Sequence, residues 1–305
     1  MTKTLPLSSL NKPKYPVYVI SKGRFKNCLT AKTFIEDGVD FHLVVEPQEA
    51  EEYSKRYGSE RVIVLPFSNL GLGSIPARNF VWEHSKSLGF DKHWIFDDNI
   101  SNIYYLFKGK RIRINSNIAL TKCEEFANRY ENIGILGLNY TFFVVPKSIY
   151  KPFFLNVHVY SALLIRNDLP YRWRGRYNED TDLCLQVLAG GQCTVLINVF
   201  SIGKAGTMKM KGGNTDVLYK GHGRLKMARS LERMWPGVVT VIKRFQRPQH
   251  HIKANWAYFD QPLIKRKDID WNNIDSMKIK PILTKRKEIK NVELKQFYEK
   301  ITKET

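Results

Sequence analysis

Three short stretches of the 305-residue chain hold side chains whose types and spacing suit catalysis. Asp97-Asp98-Asn99 follows directly on the apolar run His93 to Phe96, and the ends of strands in an open sheet are where such folds place ligands. Hard oxygen donors suit Mg²⁺ or Mn²⁺, and a cation there would neutralise a departing diphosphate. Gly73-Ser74-Ile75-Pro76-Ala77-Arg78-Asn79 opens a helical stretch, where a helix start and an arginine would stabilise phosphate charge. Glu179-Asp180 with Asp182 precedes the helical Leu183 to Leu188 and Gly190-Gly191, and a carboxylate beside a bound hydroxyl can take its proton. Each stretch alone has a plainer reading: a turn, a salt bridge or helix-side hydrogen bond, an acidic first helical turn. Their order along the chain is what argues for chemistry.

The elements that would position these groups alternate. Tyr15 to Ser21 reads as a buried first strand running into the turn Lys22-Gly23-Arg24. Helical spacing follows over Leu29 to Asp37, ending at Gly38, then a strand Phe41 to Val45, a helix Gln48 to Tyr57 and a strand Arg61 to Leu65. Ile75 to Leu88 reads as a helix stopped by Gly89, and His93 to Phe96 as the fourth strand. This β-α-β-α-β-α-β order is an α/β signature. Further on, Cys123 to Tyr130 is helical, whereas Ile133 to Leu138, Phe142 to Val145, Val157 to Ile165 and Cys193 to Val199 are strand-like. Lys204 to Gly223, rich in Gly and Lys, reads as a loop able to close over donor phosphates or grip a DNA backbone, and Arg224 to Trp235 as an Arg-rich helix. The expected organisation is one α/β domain over residues 1–240 and a basic C-terminal extension over 241–305, with a charged helix near Val292 to Lys303.

A hydrophobic content of 43% fills a core without staples, and Cys28, Cys123, Cys184 and Cys193 are too scattered for a disulfide framework or zinc site. No signal-peptide core or membrane-length apolar run is present, so the expectation is a soluble protein of a reducing cytoplasm. The formal charge is +20, a field that attracts polyanions, nucleic acid first among them. From Ser201 onward the sequence carries about 24 Lys/Arg against about 10 Asp/Glu, so most of the surplus lies in the last third. There Arg244-Phe245-Gln246-Arg247-Pro248-Gln249-His250-His251, with Trp256, Tyr258 and Phe259, interleaves cations with stacking surfaces.

Gly73 to Asn79 one helix ahead of Asp97-Asp98-Asn99, with Glu179-Asp180 opening a later helix, resembles the metal-dependent glycosyltransferases of the GT-A type, with their G…ARN, DxD and ED motifs. With Val17-Tyr18-Val19-Ile20-Ser21-Lys22-Gly23-Arg24, Ile100 and Asn178 to Asp182 added, the first 240 or so residues resemble the TET-associated glycosyltransferases, a largely bacteriophage-encoded GT-A family. The resemblance implies a Rossmann-like GT-A domain and transfer of a sugar from a nucleotide sugar, such as a UDP-sugar, to 5-hydroxymethylcytosine or a related pyrimidine in double-stranded DNA, or to a sugar already on that base. It implies donor contacts at Ser21, Lys22, Gly23, Arg24, Arg78, Asn79 and Asp97, and Asp180 as the general base if configuration inverts. Metal would sit at Asp98 or Asn99, and His222, between Gly221 and Gly223, is the place for the histidine that many GT-A enzymes add. Asn99 departs from DxD, a neutral donor where a carboxylate is usual, so that Asp98 takes the Mn²⁺ or Mg²⁺, Asn99 binds it through its amide, or metal dependence falls. Rival readings are a glycosyltransferase acting on protein or polysaccharide, a metal nuclease built on Asp97, Asp98, Glu179 and Asp180, and a non-enzymatic DNA-binding protein. Neither the sugar nor the oligomeric state is legible.

Overall fold

The computed structural model describes residues 12–146, 151–204, 223–244, 247–252 and 259–272. Four strands with short apolar, β-branched sequences build its parallel half: β1 (Val17–Ile20), β2 (His42–Val45), β3 (Val62–Val64) and β4 (Lys92–Asp97). Between them run α1 (Leu29–Asp37), α2 (Ala50–Tyr57) and α3 (Ile75–Ser87). The alternation fixes the pairing, because each helix crosses over to return the chain parallel to the previous strand. Gly38, at φ 65, closes α1 by donating its N–H back to Ile35, a left-handed cap that glycine adopts without strain.

Beyond β4 the sheet is mixed. β5 (Ile100–Phe107) and β6 (Lys110–Ile114) form a hairpin, followed by α4 (Ser116–Ala127), β7 (Ile133–Tyr140), β8 (Phe153–Leu155), β9 (Ala162–Arg166), α5 (Glu179–Ala189) and β10 (Cys193–Lys204). The order across the sheet is β3-β2-β1-β4-β9-β7-β10-β5-β6, with β8 on β10. β9 runs antiparallel to both β4 and β7, whereas β7 and β10 are parallel. This is the mixed α/β, Rossmann-like architecture that the alternation predicted. Two buried clusters cover its faces, one around Phe34, Trp94, Phe96 and Leu120, the other around Tyr18, Trp82, Ile95 and Leu183.

The hairpin β5–β6 was not anticipated, and Phe142 to Val145, read as a strand, is a turn. Phe143 and Val144 both donate their N–H groups to Tyr140 O, folding the chain off the end of β7. The strand expected over Val157 to Ile165 is shorter, starting only at Ala162.

Toward the C-terminus, α6 (Gly223–Met234) leads into the hairpin β11 (Val239–Arg244) and β12 (Arg247–Ile252). Leu231, Val239, Ile252 and Phe259 pack against Leu185 and Leu188 of α5, which seats this unit on the main sheet's helix layer. Trp235 adds a polar tie, its Nε1–H donating to Asp182 Oδ1 at 2.6 Å. The four cysteines are buried free thiols. Among the described residues no helix is long and apolar enough to cross a membrane.

Candidate active site

The C-terminal ends of β1 and β4 lie side by side, with Ile20 paired to Asp97. A cleft of about 390 Å³ opens over them, bounded further by α3, the first turn of α5, Tyr140, Lys204 and His250. Thr30 in the first turn of α1 pins the turn after β4: its hydroxyl donates to Asp97 O at 2.6 Å and accepts from Ile100 N at 3.0 Å. The direction of Asp97, Asp98 and Asn99 is thus set by backbone bonds.

Asp98 points toward β1. Ser21 Oγ donates to its Oδ2 at 2.7 Å and Arg24 Nη1 to its Oδ1 at 2.5 Å, while Tyr53 OH meets Ser21 Oγ at 2.6 Å. Burial raises its pKa against the opposing pull of Arg24. Lys22 turns outward to Glu46 and Asn69, and the Gly23 N–H is held by Glu49.

Asp97 points the other way and meets two cations. Arg78 Nη2 donates to Oδ1 at 2.9 Å, and Lys204 Nζ to Oδ2 at 2.8 Å. Burial opposes the charged carboxylate, but Lys204 and then Arg78 outweigh it and hold the pKa down at about 2. Arg78 is locked on the α3 side: its Nε donates to Ser74 Oγ at 3.1 Å and its guanidinium lies 4.6 Å from the Trp173 ring centre. Lys204 also donates to Ser161 Oγ at 2.6 Å and Tyr140 OH at 3.2 Å. Asn79, one position past Arg78, faces away from the cleft and exchanges two hydrogen bonds with the Trp173 backbone, a role in holding that loop.

The opposite wall is the start of α5, where Asn178 at φ 53 turns the chain into the helix. Asp180 Oδ2 lies 3.2 Å from His158 Nε2, and its Oδ1 accepts the Thr181 N–H at 2.8 Å. Burial disfavours the charge there too, but His158 outweighs it and the pKa falls well below the carboxylate range. Glu179 behaves oppositely: burial raises its pKa, and it accepts the Ser74 hydroxyl proton at 2.9 Å. Asp182 is buried and spent on structure, bonded to Arg174, Gln186 and Trp235. His250 of β12 completes this wall, held neutral to about pH 4 by burial and by its neighbour His158.

Ser21, Lys22, Arg24, Arg78, Asp97, Asp98, Asn99 and Asp180 therefore line one cleft, while Gly23 and Asn79 support it from outside the lining. His222, Trp256 and Tyr258 lie outside the described residues. Sequence reasoning missed Ser161, His158 and Tyr140, and it placed Lys204 in a loop able to close over phosphates or grip DNA rather than at a strand end. A signal existed for Lys204, since the apolar pattern of β10 runs on through Ile202 and makes Lys204 a strand end.

A divalent cation of the kind GT-A enzymes use would need oxygen donors from Asp97-Asp98-Asn99. Both Asp97 oxygens are taken by Arg78 and Lys204, and both Asp98 oxygens by Ser21 and Arg24. Asn99 Oδ1 is buried without a hydrogen-bond partner, a single neutral donor. No group of three or more His, Cys, Asp or Glu side chains suited to a metal occurs among the described residues. The donor set as folded does not fit a carboxylate-held divalent ion.

No curated protein matches the chain. Residues 15–213, well over half the sequence and every element from β1 through β10, match the family described as TET-Associated Glycosyltransferase. The chain belongs to the TET-associated glycosyltransferase family and is a glycosyltransferase.

Proposed function

We propose that this glycosyltransferase takes its sugar from a nucleotide sugar, UDP-linked in the simplest case, and places it on the hydroxyl of a 5-hydroxymethylcytosine-type base in phage DNA, or on a sugar already attached to that base. The observation that carries the reaction is the pairing of two unlike walls in one cleft: Arg78 and Lys204 on the strand-end side, and the His158–Asp180 pair on the α5 side. The nucleotide lies over Ser21 to Arg24 and the strand ends, with its phosphates toward the cations. Asp180 accepts the acceptor proton as that oxygen bonds to the sugar carbon. The sugar–phosphate bond breaks with its electron pair on the diphosphate, and configuration inverts.

A DNA acceptor is supported by the +20 charge and by exposed rings at the cleft margin. Phe142 and Phe143, 57% and 42% exposed, extend from Tyr140, whose ring is 4.9 Å from that of Phe142 and whose hydroxyl bonds Ser161 and Lys204. Arg111 holds this loop by donating to Thr141 O and Val144 O. Stacking rings beside cations suit an unpaired or extruded base.

The test is mass spectrometry of nucleosides from duplex DNA, with and without 5-hydroxymethylcytosine, after incubation with the protein and a panel of nucleotide sugars. One sugar mass added to the modified cytosine alone is expected. Sugar transfer to a protein or polysaccharide acceptor, with none to DNA, overturns the DNA assignment.

A further inference from the structure

The misfit between Asp97-Asp98-Asn99 and a metal raises the question of what else neutralises a diphosphate in this cleft. Lys204 and Arg78 share one carboxylate, so the Lys204–Asp97–Arg78 cluster carries one positive charge more than Asp97 cancels. The next carboxylate, Glu179, is 3.7 Å from Arg78 and already accepts the Ser74 proton. Burial raises the Glu179 pKa and so weakens its hold on Arg78.

Both cations are fixed before any ligand arrives. The Arg78 side chain is 7% exposed and that of Lys204 14%. Arg78 is braced by Ser74 Oγ and the Trp173 ring, and Lys204 by Ser161 and Tyr140. Such preorganised donors stabilise developing charge without reorganising during the reaction. For a divalent ion to bind Asp97 it would have to displace one of them, leaving a buried cation unpaired beside a dication. Of the Lys204 contacts, the 3.2 Å bond to Tyr140 is the longest and the one a phosphate oxygen can replace without disturbing the Asp97 ion pair.

We propose that Lys204 and Arg78, held by Asp97, form a diphosphate-binding subsite that supplies from the protein the charge a metal supplies in related enzymes, so that donor binding needs no divalent ion. This rests on the nucleotide-sugar reading above and deepens it. The guanidinium and ammonium bind the two bridged phosphates of the donor, then take up the extra negative charge as the sugar–oxygen bond breaks and the diphosphate leaves.

The experiment is isothermal titration calorimetry with UDP, and with GDP, CDP, ADP and TDP in parallel, in EDTA and in Mn²⁺. Expected is binding of at least one nucleotide in EDTA, within about threefold of its affinity in Mn²⁺. Lys204→Met should weaken that metal-free binding roughly 10- to 100-fold, the effect of losing one charge-assisted contact. Lys204→Arg, which keeps the charge and the Asp97 partner, should retain most of it and serves where the methionine variant unfolds. Binding that appears only with Mn²⁺ overturns the metal-free subsite and leaves the transferase reading intact. Absence of binding by every nucleotide in both conditions overturns the subsite and the nucleotide-sugar donor together.

Discussion

His158 Nε2 and Asp180 Oδ2 stand 3.2 Å apart, brought together from the segment ahead of β9 and the first turn of α5. The other Asp180 oxygen is held by the Thr181 N–H, so the carboxylate is aimed from two sides. The helix N-terminus adds to the stabilisation of its charge. His158 thus favours the ionised form of the carboxylate and lowers its basicity.

Asp180→Asn is expected to lower kcat by on the order of 10²- to 10⁴-fold, the span of a general base, with nucleotide and DNA affinity within a few-fold of the parent. His158→Gln removes the partner that depresses the Asp180 pKa, so that pKa rises and the acid limb of the kcat profile moves to higher pH. Single-turnover rates across pH check both. Transfer by Asp180→Asn within tenfold of the parent would show that another group takes the proton.

The exposed Phe142 and Phe143 make no demand on the core, so Phe142→Ala with Phe143→Ala should leave the unfolding midpoint nearly unchanged. Stacking on a base is worth about 1–3 kcal/mol, and its loss predicts a KM for DNA raised roughly 5- to 100-fold with nucleotide binding unaltered. Fluorescence anisotropy of a labelled duplex at fixed salt reads this out; equal DNA affinity in parent and variant removes these rings from the acceptor path.

Much of this was legible in the sequence, for physical reasons. The units from β1 through β4 announced themselves because continuous apolar strands alternate with helices, two of them stopped by Gly38 and Gly89, and a parallel sheet leaves few ways to connect them. Asp97 and Asp98 were visible as a strand end. What could not be read was their divergence: consecutive residues leaving a strand face opposite sides, one toward Arg24 and the other toward Lys204. Lys204 is distant in sequence and reaches Asp97 although β9 and β7 stand between β10 and β4 in the sheet. His158 sits in irregular backbone, where no periodicity reports which way a side chain faces. The hairpin β5–β6 was hidden because its polar edge strand, Lys110–Ile114, carries charges at positions a buried strand would fill with apolar groups.

Gly137 of β7 pairs with Leu163 of β9 and faces the segment that leads into β9. A Cβ there would run into Val159 Cγ1 and stand 2.7 Å from the Ala162 carbonyl oxygen, and the latter is backbone that cannot rotate away. Gly137→Ala is expected to destabilise by about 1–3 kcal/mol through overpacking. Because the displaced segment carries His158 and Ser161, kcat should fall as well, by more than the loss of folded protein explains. Chemical denaturation together with activity per folded molecule separates the two effects. A variant as stable and as active as the parent would show that the strands can separate there.

His93 in β4 links the same sheet to pH. It is fully buried against Tyr18 and Trp82, with Nδ1 at 2.6 Å from Asn167 Oδ1 and Nε2 without a hydrogen-bond partner, and burial holds its pKa down at about 4. In the unfolded chain the same ring takes a proton near the ordinary value of about 6.5. Between those values the unfolded state binds more protons than the folded one, so stability rises with pH through this window and is lost as pH falls from 6.5 toward 4. One such group contributes a slope of up to about 1.4 kcal/mol per pH unit. His42, His84 and His250 shift in the same direction and add to it. His93→Gln removes one titrating ring, so urea unfolding measured from pH 7 to pH 4.5 should show a shallower fall in stability by about one proton's share. An unchanged slope in the variant would mean that His93 is not protonated on unfolding and that the other histidines carry the acid sensitivity.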